Sequence, residues 1–124
     1  KPDLTILLKV PVNEALKRAF AYTKAGANAI LIHSKENNPK KIFKFSKLYR
    51  KKYSLPLVAV PSTYSNTKER ELIKNGFNIV IYANHMLRAA YPAMNMIAKS
   101  ILINGRSSQI EKKIIPIKEI ISLL

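Results

Sequence analysis

Lys9, His33, Ser34, Lys35, Ser62, Thr63, Asn84 and His85 are the residues of this 124-residue sequence whose types and spacing could do chemistry together. Each stands at or just past the end of a short apolar run. An ammonium, an imidazole, hydroxyls and an amide form a set of donors suited to oxyanions. A phosphate or carboxylate is the ligand class they point to. None of the four run ends carries an acidic residue.

His33 ends the run "AILIH" and admits two readings. A histidine there can be a hydrogen-bonded core residue or a ligand-binding one, and composition alone leaves both open. Lys9, inside "LTILLKV", is costly to bury without an anion, so Lys9 and His33 on adjacent strands make a phosphate or carboxylate pocket. Ser62 adds a neutral donor. Thr63 and Asn84 are read as turn or cap residues.

The absences narrow the chemistry further. Asp3 is the single aspartate, and Glu14, Glu36, Glu69, Glu71, Glu111 and Glu119 fall mostly on helical patterns. No carboxylate pair is placed to hold Mg²⁺ or to act as acid and base together. With no cysteine there is neither a disulfide framework nor a thiolate zinc site, which suits a reducing cytoplasm. No P-loop and no G-x-G-x-x-G occurs. No metal site is expected from these residues alone.

The elements that must position these residues repeat as strand then helix. Four continuous β-branched runs, Leu4 to Val10, Ala29 to His33, Pro56 to Pro61 and Asn78 to Ala83, read as strands buried on both faces of a parallel sheet. Between them, Asn13 is expected to cap a helix that closes at Gly26. A second helix is expected from Pro39 to Tyr53, with Ile42, Phe45, Tyr49 and Tyr53 on one face and Lys40, Lys44, Lys47 and Lys51 on a solvated one. A third spans Thr67 to Asn75. The fourth carries Leu87, Ala90, Met94, Ile97 and Ile101, with Pro92 breaking or restarting it. Strand starts recur at intervals of roughly 20 to 28 residues, which predicts an α/β fold of four βα units. In such sheets ligands collect at the carboxyl ends of the strands, where the polar residues above fall.

The expected domain organisation is a unit over 1–103 and a C-terminal appendix over 104–124, with "IKEIISLL" as a short helix. The chain opens on Lys1 rather than methionine, so Lys1 is not taken as the natural start. Its apolar runs are far shorter than a membrane span. The net charge is +15, from 22 lysines and arginines against 7 acids. Lysine dominates and is spread along the chain, which reads as solvated faces rather than a nucleic-acid footprint.

"NEALKRAFAYTKAGANAILIHSK", "PLVAVPSTYSNT", "GFNIVIYANHMLRAAYPAM" and "IIPIKEI" together resemble the second half of phosphoenolpyruvate mutase, in the isocitrate lyase superfamily. The resemblance runs in collinear order over nearly the whole chain. It implies an (α/β)₈ TIM-type barrel, of which the four strands here would be strands 5–8. It implies interconversion of phosphoenolpyruvate and phosphonopyruvate, as in phosphonate biosynthesis, with Mg²⁺ as cofactor. The family's metal-holding acidic residues and gating loop belong to strands one to four, which are not in this sequence.

Residue by residue, the histidine of the family's "ILIHS" motif falls on His33, which the resemblance makes a ligand to phosphoryl oxygens, with Ser34 beside it. The family's phosphoryl-binding arginine in "ARVEA" aligns with Lys9 of "LKVPV". Lysine keeps the charge and loses the bidentate fork. Pro11 replaces the glutamate of that pattern, the following loop is shorter, and Ser62 replaces a threonine. Catalytic positions would be His33 and Lys9; substrate-binding positions would be Lys9, His33, Ser34 and Ser62. The expected partners are a small phosphorylated or phosphonate substrate and either a second copy or a complementary N-terminal half, with neither nucleic acid nor membrane. The expectation is a mutase-like chain that is inactive by itself. A non-catalytic anion-binding or assembly module and a phosphonopyruvate hydrolase-like chain are the alternatives.

Overall fold

The apolar runs form a four-stranded parallel sheet in the order of the chain, β1-β2-β3-β4. The computed structural model describes residues 4–8, for their backbone alone, and 10–123. Its strands are β1 (Leu4–Leu8), β2 (Ile30–Ser34), β3 (Leu57–Ala59) and β4 (Ile79–Val80), with α1 (Val12–Lys24), α2 (Lys40–Tyr49) and α3 (Glu69–Lys74) between them. Then follow α4 (His85–Asn104), a 3₁₀ turn at Glu111–Lys113 and α5 (Ile117–Ile121). Parallel neighbours cannot be joined by a tight hairpin, so each sheet connection spans a helix. The register pairs Leu7 with His33 and Leu8 with Ser34. It also pairs Ile32 with Ala59, and Ala59 with Val80.

Strand β2 departs from the expectation of burial on both faces. Ile30, Ile32 and Ser34 are buried while Leu31 and His33 are half-buried. Side chains alternate across a strand, so Leu31 and His33 share the face opposite Ile30 and Ile32. The core lies on the Ile30 side, where Ala15, Leu16 and Ala19 of α1 meet Ile42, Phe45 and Tyr49 of α2, with Leu57, Ala59 and Tyr64. On the other face Leu31, Val58 and Ile79 are register partners, and Ile79 is 46% exposed.

An aromatic group fixes α2 against α1. Phe20 and Tyr53 have ring centroids 5.2 Å apart, and Phe45 stacks on Tyr49 at 5.8 Å. The Thr23 hydroxyl donates to the Ala19 carbonyl at 2.8 Å and lies 2.7 Å from the Tyr49 hydroxyl. A hydroxyl has one proton, so Tyr49 is the donor of that second bond.

Several boundaries differ from the sequence reading. Asn13 is not the cap of α1: the helix starts at Val12, and the Pro11 carbonyl accepts from the Glu14 and Ala15 amides at 3.0 and 3.1 Å. Proline's fixed φ and missing N–H suit the entry to a helix. Helix α2 stops at Tyr49, where the chain turns and the Lys52 and Tyr53 amides both reach the Tyr49 carbonyl. Pro92 neither breaks nor restarts α4, which is continuous from His85 to Asn104. It removes the one amide that would bond Arg88's carbonyl, and the neighbouring turns carry the helix through.

At the opposite end of the sheet from His33, Arg50 ties three segments together. Its guanidinium donates to the Leu55 carbonyl at 2.8 Å, the Gly76 carbonyl at 2.7 Å and Asn78 Oδ1 at 2.5 Å. Gly76 has φ +86°, and a Cβ there would stand 2.9 Å from Ser46 Oγ. Both facts require glycine.

The chain divides into two compact units, Lys1–Ala83 and Asn84–Leu124. In the second, α4 ends at Gly105, whose amide donates to the Ile101 carbonyl at 2.8 Å. No α4 residue is buried, and Met86, Leu87, Tyr91, Met94, Leu102 and Ile103 are exposed. Among the described residues no helix is long and apolar enough to cross a membrane.

Candidate functional site

The carboxyl ends of β2 and β3 come together through two bonds that neither strand ladder supplies. His33 Nδ1 lies 3.0 Å from the Val60 carbonyl oxygen, and Thr63 Oγ1 donates to the Ser34 carbonyl at 2.5 Å. The Val60 oxygen also accepts the Ser62 amide at 2.9 Å, so both its lone pairs are engaged. Side chain and backbone thus lock the loop "VPST" against the end of β2.

A carbonyl oxygen only accepts, so the nitrogen facing it must carry a proton. In the neutral ring His33 therefore holds its proton on Nδ1, leaving Nε2 to meet a ligand. Ser34 is buried, and its hydroxyl accepts the Glu36 amide at 3.2 Å in a turn that leads the chain away from β2. Ser62 and Thr63 are half-buried. Tyr64, next in the loop, is fully buried. Burial pushes its phenol up to about 12, and the backbone of Val60 offsets only part of that.

The structure thus brings His33, Ser34 and Ser62 to one place. Lys9 lies outside the described residues. Thr63, read as a turn residue, proves to be a strut between β3 and β2. Asn84 precedes α4 and accepts the Arg88 amide through its carbonyl at 2.9 Å, with no cap bond from its side chain.

A depression of about 480 Å³ opens beside the end of β1, lined by Val10, Pro11, Val12, Asn13, Lys41 and Lys44. Pro11 stands where the resemblance expects a glutamate, and the shortened loop begins there. Lys41 reaches Glu36 at 2.5 Å, and Lys44 is exposed. Sequence reasoning placed Lys44 on a solvated stripe and passed over Lys41. Their position in the first turns of a helix that follows a strand end was the available signal. Lys40, Lys47 and Lys51 are exposed, as a solvated stripe requires.

Mg²⁺ needs several oxygen donors, anionic ones among them. Here Glu14 pairs with Arg18 at 3.0 Å, Glu36 with Lys41, and Glu69 accepts the Tyr82 hydroxyl at 2.8 Å. That bond to a carboxylate raises the Tyr82 phenol above its ordinary value. Among the described residues no three His, Asp or Glu side chains are grouped to hold a metal ion. The donor set among the described residues does not fit a divalent cation.

Comparison with known proteins finds relatives of this chain. Residues 3–102 match the family described as phosphoenolpyruvate phosphomutase. The phosphoenolpyruvate phosphomutase of Streptomyces hygroscopicus is 37% identical over 118 residues, 95% of this chain and 37% of that protein. The crystal structure of the phosphoenolpyruvate phosphomutase from Streptomyces platensis subsp. rosaceus superposes with a TM-score of 0.82 at 37% identity, over 93% of this chain and 39% of that one. A phosphonopyruvate hydrolase in complex with oxalate and Mg²⁺ superposes with a TM-score of 0.77 at 37% identity, over 90% of this chain and 39% of its own. The chain spans well under half the length of these relatives.

Proposed function

The chain belongs to the phosphoenolpyruvate phosphomutase family, and from that premise we propose that it is the phosphoryl-binding part of an enzyme interconverting phosphoenolpyruvate and phosphonopyruvate. The observation that carries the reading is His33 at the end of β2, its Nδ1 held by the Val60 carbonyl and its Nε2 left for a ligand. Residues 1–103 form half of an (α/β)₈ barrel under this reading, with 104–124 as an appendix, in a cytoplasmic protein. The sheet face bearing Leu31, Val58 and Ile79 is the one that a closed barrel would turn inward.

His33 holds phosphoryl oxygens and Lys9 supplies the charge that arginine supplies elsewhere in the family. Ser34 and Ser62 shape the strand end around them. Transfer of a phosphoryl group through a loose transition state asks for positioning and spread positive charge, which a lysine provides without a planar fork. Mg²⁺, which the family implies, is held elsewhere under this reading, because Glu14, Glu36 and Glu69 are tied to local partners and no three His, Asp or Glu side chains are grouped among the described residues. The activity therefore requires a complementary polypeptide carrying the metal site, and the isolated chain is inactive.

The test is ³¹P NMR of phosphonopyruvate with Mg²⁺ and the purified chain, beside a titration of phosphonopyruvate into wild type and His33→Ala. A static ³¹P spectrum with binding weakened at least tenfold in His33→Ala is expected. Turnover by the chain alone would overturn the need for a partner. Equal titrations for the two proteins would return His33 to a structural role.

A second reading, a non-catalytic phosphate- or carboxylate-binding module that assembles with another chain, is favoured by one observation: Ile79 and Ile81 of the sheet unit are 46% and 40% exposed. Phosphonopyruvate hydrolysis is a third, supported by the similarity to a hydrolase. Release of phosphate rather than phosphoenolpyruvate, once a complementary half is added, separates it from the mutase.

A further inference from the structure

We infer that His33 takes a phosphoryl anion only when one proton lies between its Nε2 and the ligand oxygen, so that anion binding at this site is coupled to proton uptake. The inference rests on the anion-site reading above and names its proton inventory. The Val60 carbonyl accepts from His33 Nδ1 at 3.0 Å and already holds the Ser62 amide at 2.9 Å. A ring rotated to aim Nε2 at that oxygen would give up the geometry that joins β2 to β3. The neutral ring therefore presents a lone pair at Nε2, and the dianion of a phosphate ester or phosphonate, which has no hydroxyl, presents only lone pairs as well. Two acceptors facing each other repel.

One added proton resolves the conflict. An imidazolium donates Nε2–H to a dianion, or a monoanion donates its P–O–H to the neutral ring; the two have the same total charge and differ only in where the proton rests. Binding a dianion to the neutral protein thus draws one proton from solvent. The excluded pair is dianion with neutral imidazole, the pair that rising pH favours.

The surrounding ionisable groups do not mimic this behaviour. Lys35 and Glu36 follow β2, Lys41 and Lys44 begin α2, and Tyr64 follows β3. Glu36 is paired with Lys41, and Tyr64 is pushed up to about 12. Lysine ammonium groups ordinarily keep their charge to about pH 10. Attraction to lysines alone would strengthen or hold steady as phosphate becomes a dianion. Only a proton-coupled contact weakens.

Methylphosphonate, whose dianion has no hydroxyl, is the probe, titrated into the full chain between pH 6.5 and 9.5, with the ring nitrogens of ¹⁵N-histidine-labelled protein followed by long-range ¹H–¹⁵N NMR. His33→Gln assigns the signals and supplies a neutral donor that does not titrate. Before the phosphonate is added, a protonated Nδ1 and an unprotonated Nε2 are expected at high pH. With the phosphonate, the dissociation constant should rise with pH toward a limit of about tenfold per pH unit, the slope for one proton. His33→Gln should bind with little pH dependence.

An Nε2–H tautomer in the free protein overturns the inference. So does a dissociation constant flat across the range while His33 signals respond to methylphosphonate, which leaves the anion site standing without its proton coupling. No response of His33 to methylphosphonate at any pH removes the anion-site reading itself, and this inference with it, while the tautomer measured in the free protein still reports on the Val60 bond.

Discussion

Tyr64 makes the stability of the sheet unit depend on pH in the alkaline range. Its side chain is fully buried, and among the described residues its hydroxyl makes no full hydrogen bond, with only the backbone of Val60 acting on it. Burial raises the phenol from 10.0 to about 12. The neutral form is the one the fold tolerates, so its contribution is whole below pH 10 and is lost as pH rises through 12. With a shift of about two units, about 1.4 kcal/mol is lost by pH 11 and about 2 to 3 kcal/mol well above pH 12. Urea unfolding followed by circular dichroism at pH 8 and pH 11 measures the loss. Other tyrosines and lysines titrate too, so the comparison is with Tyr64→Phe, in which they are unchanged. The variant should lose about 1 kcal/mol less than wild type between the two pH values. At pH 8 it should be as stable or slightly more so, because removing an unpaired buried hydroxyl also removes its desolvation cost. Equal losses in the two proteins, or a variant weaker by more than about 1 kcal/mol at pH 8, would mean that the hydroxyl has a partner and that burial does not govern it.

Gly76→Ala should cost about 1 to 3 kcal/mol in chemical denaturation, since alanine would face both a positive φ and Ser46 Oγ at 2.9 Å; a neutral result would show that the turn relaxes freely. Arg50→Met keeps most of the packing and removes donors from the Leu55 and Gly76 carbonyls and from Asn78 Oδ1, so a loss of about 1 to 3 kcal/mol is expected. A change under about 0.5 kcal/mol would show that water replaces the guanidinium. Thr63→Val should cost about 1 kcal/mol and move the His33 ring resonances, while Thr63→Ser restores both; unmoved resonances would separate the strut from the site.

Much of the architecture was readable in residue order. β-Branched runs with glycines closing the intervening helices predict parallel strands, and the strand centres fall where those runs do. The ends were less legible because they are set by neighbours. β3 and β4 shrink to three and two residues. The pairing nevertheless continues past them, with the Asn78 amide donating to the Leu57 carbonyl and the Ile81 amide to the Ala59 carbonyl. Asn78 Oδ1 also accepts the Leu57 amide at 3.0 Å, a role no β-propensity describes. Pro11 entered a helix and Pro92 stayed inside one because proline forbids only its own hydrogen bond and crowds one carbonyl.

The candidate site was legible in its residue types and not in its protons. A histidine at a strand end stands where parallel sheets gather ligands, and under the proposed function that ligand is a phosphoryl group. Which nitrogen faces that ligand follows from the Val60 carbonyl, a backbone group that every residue except its orientation leaves identical. Thr63 was discounted for the same reason: its hydroxyl has a function only because the Ser34 carbonyl lies within 2.5 Å across the sheet. In a parallel sheet the loop after one strand is built against the end of the next, so the groups that orient a strand-end side chain come from a distant part of the sequence. The pairs His33 with Val60 and Ser34 with Thr63 are each separated by more than a whole βα connection. Substituting the loop after β3 should therefore alter the chemistry of His33 as surely as substituting β2 itself.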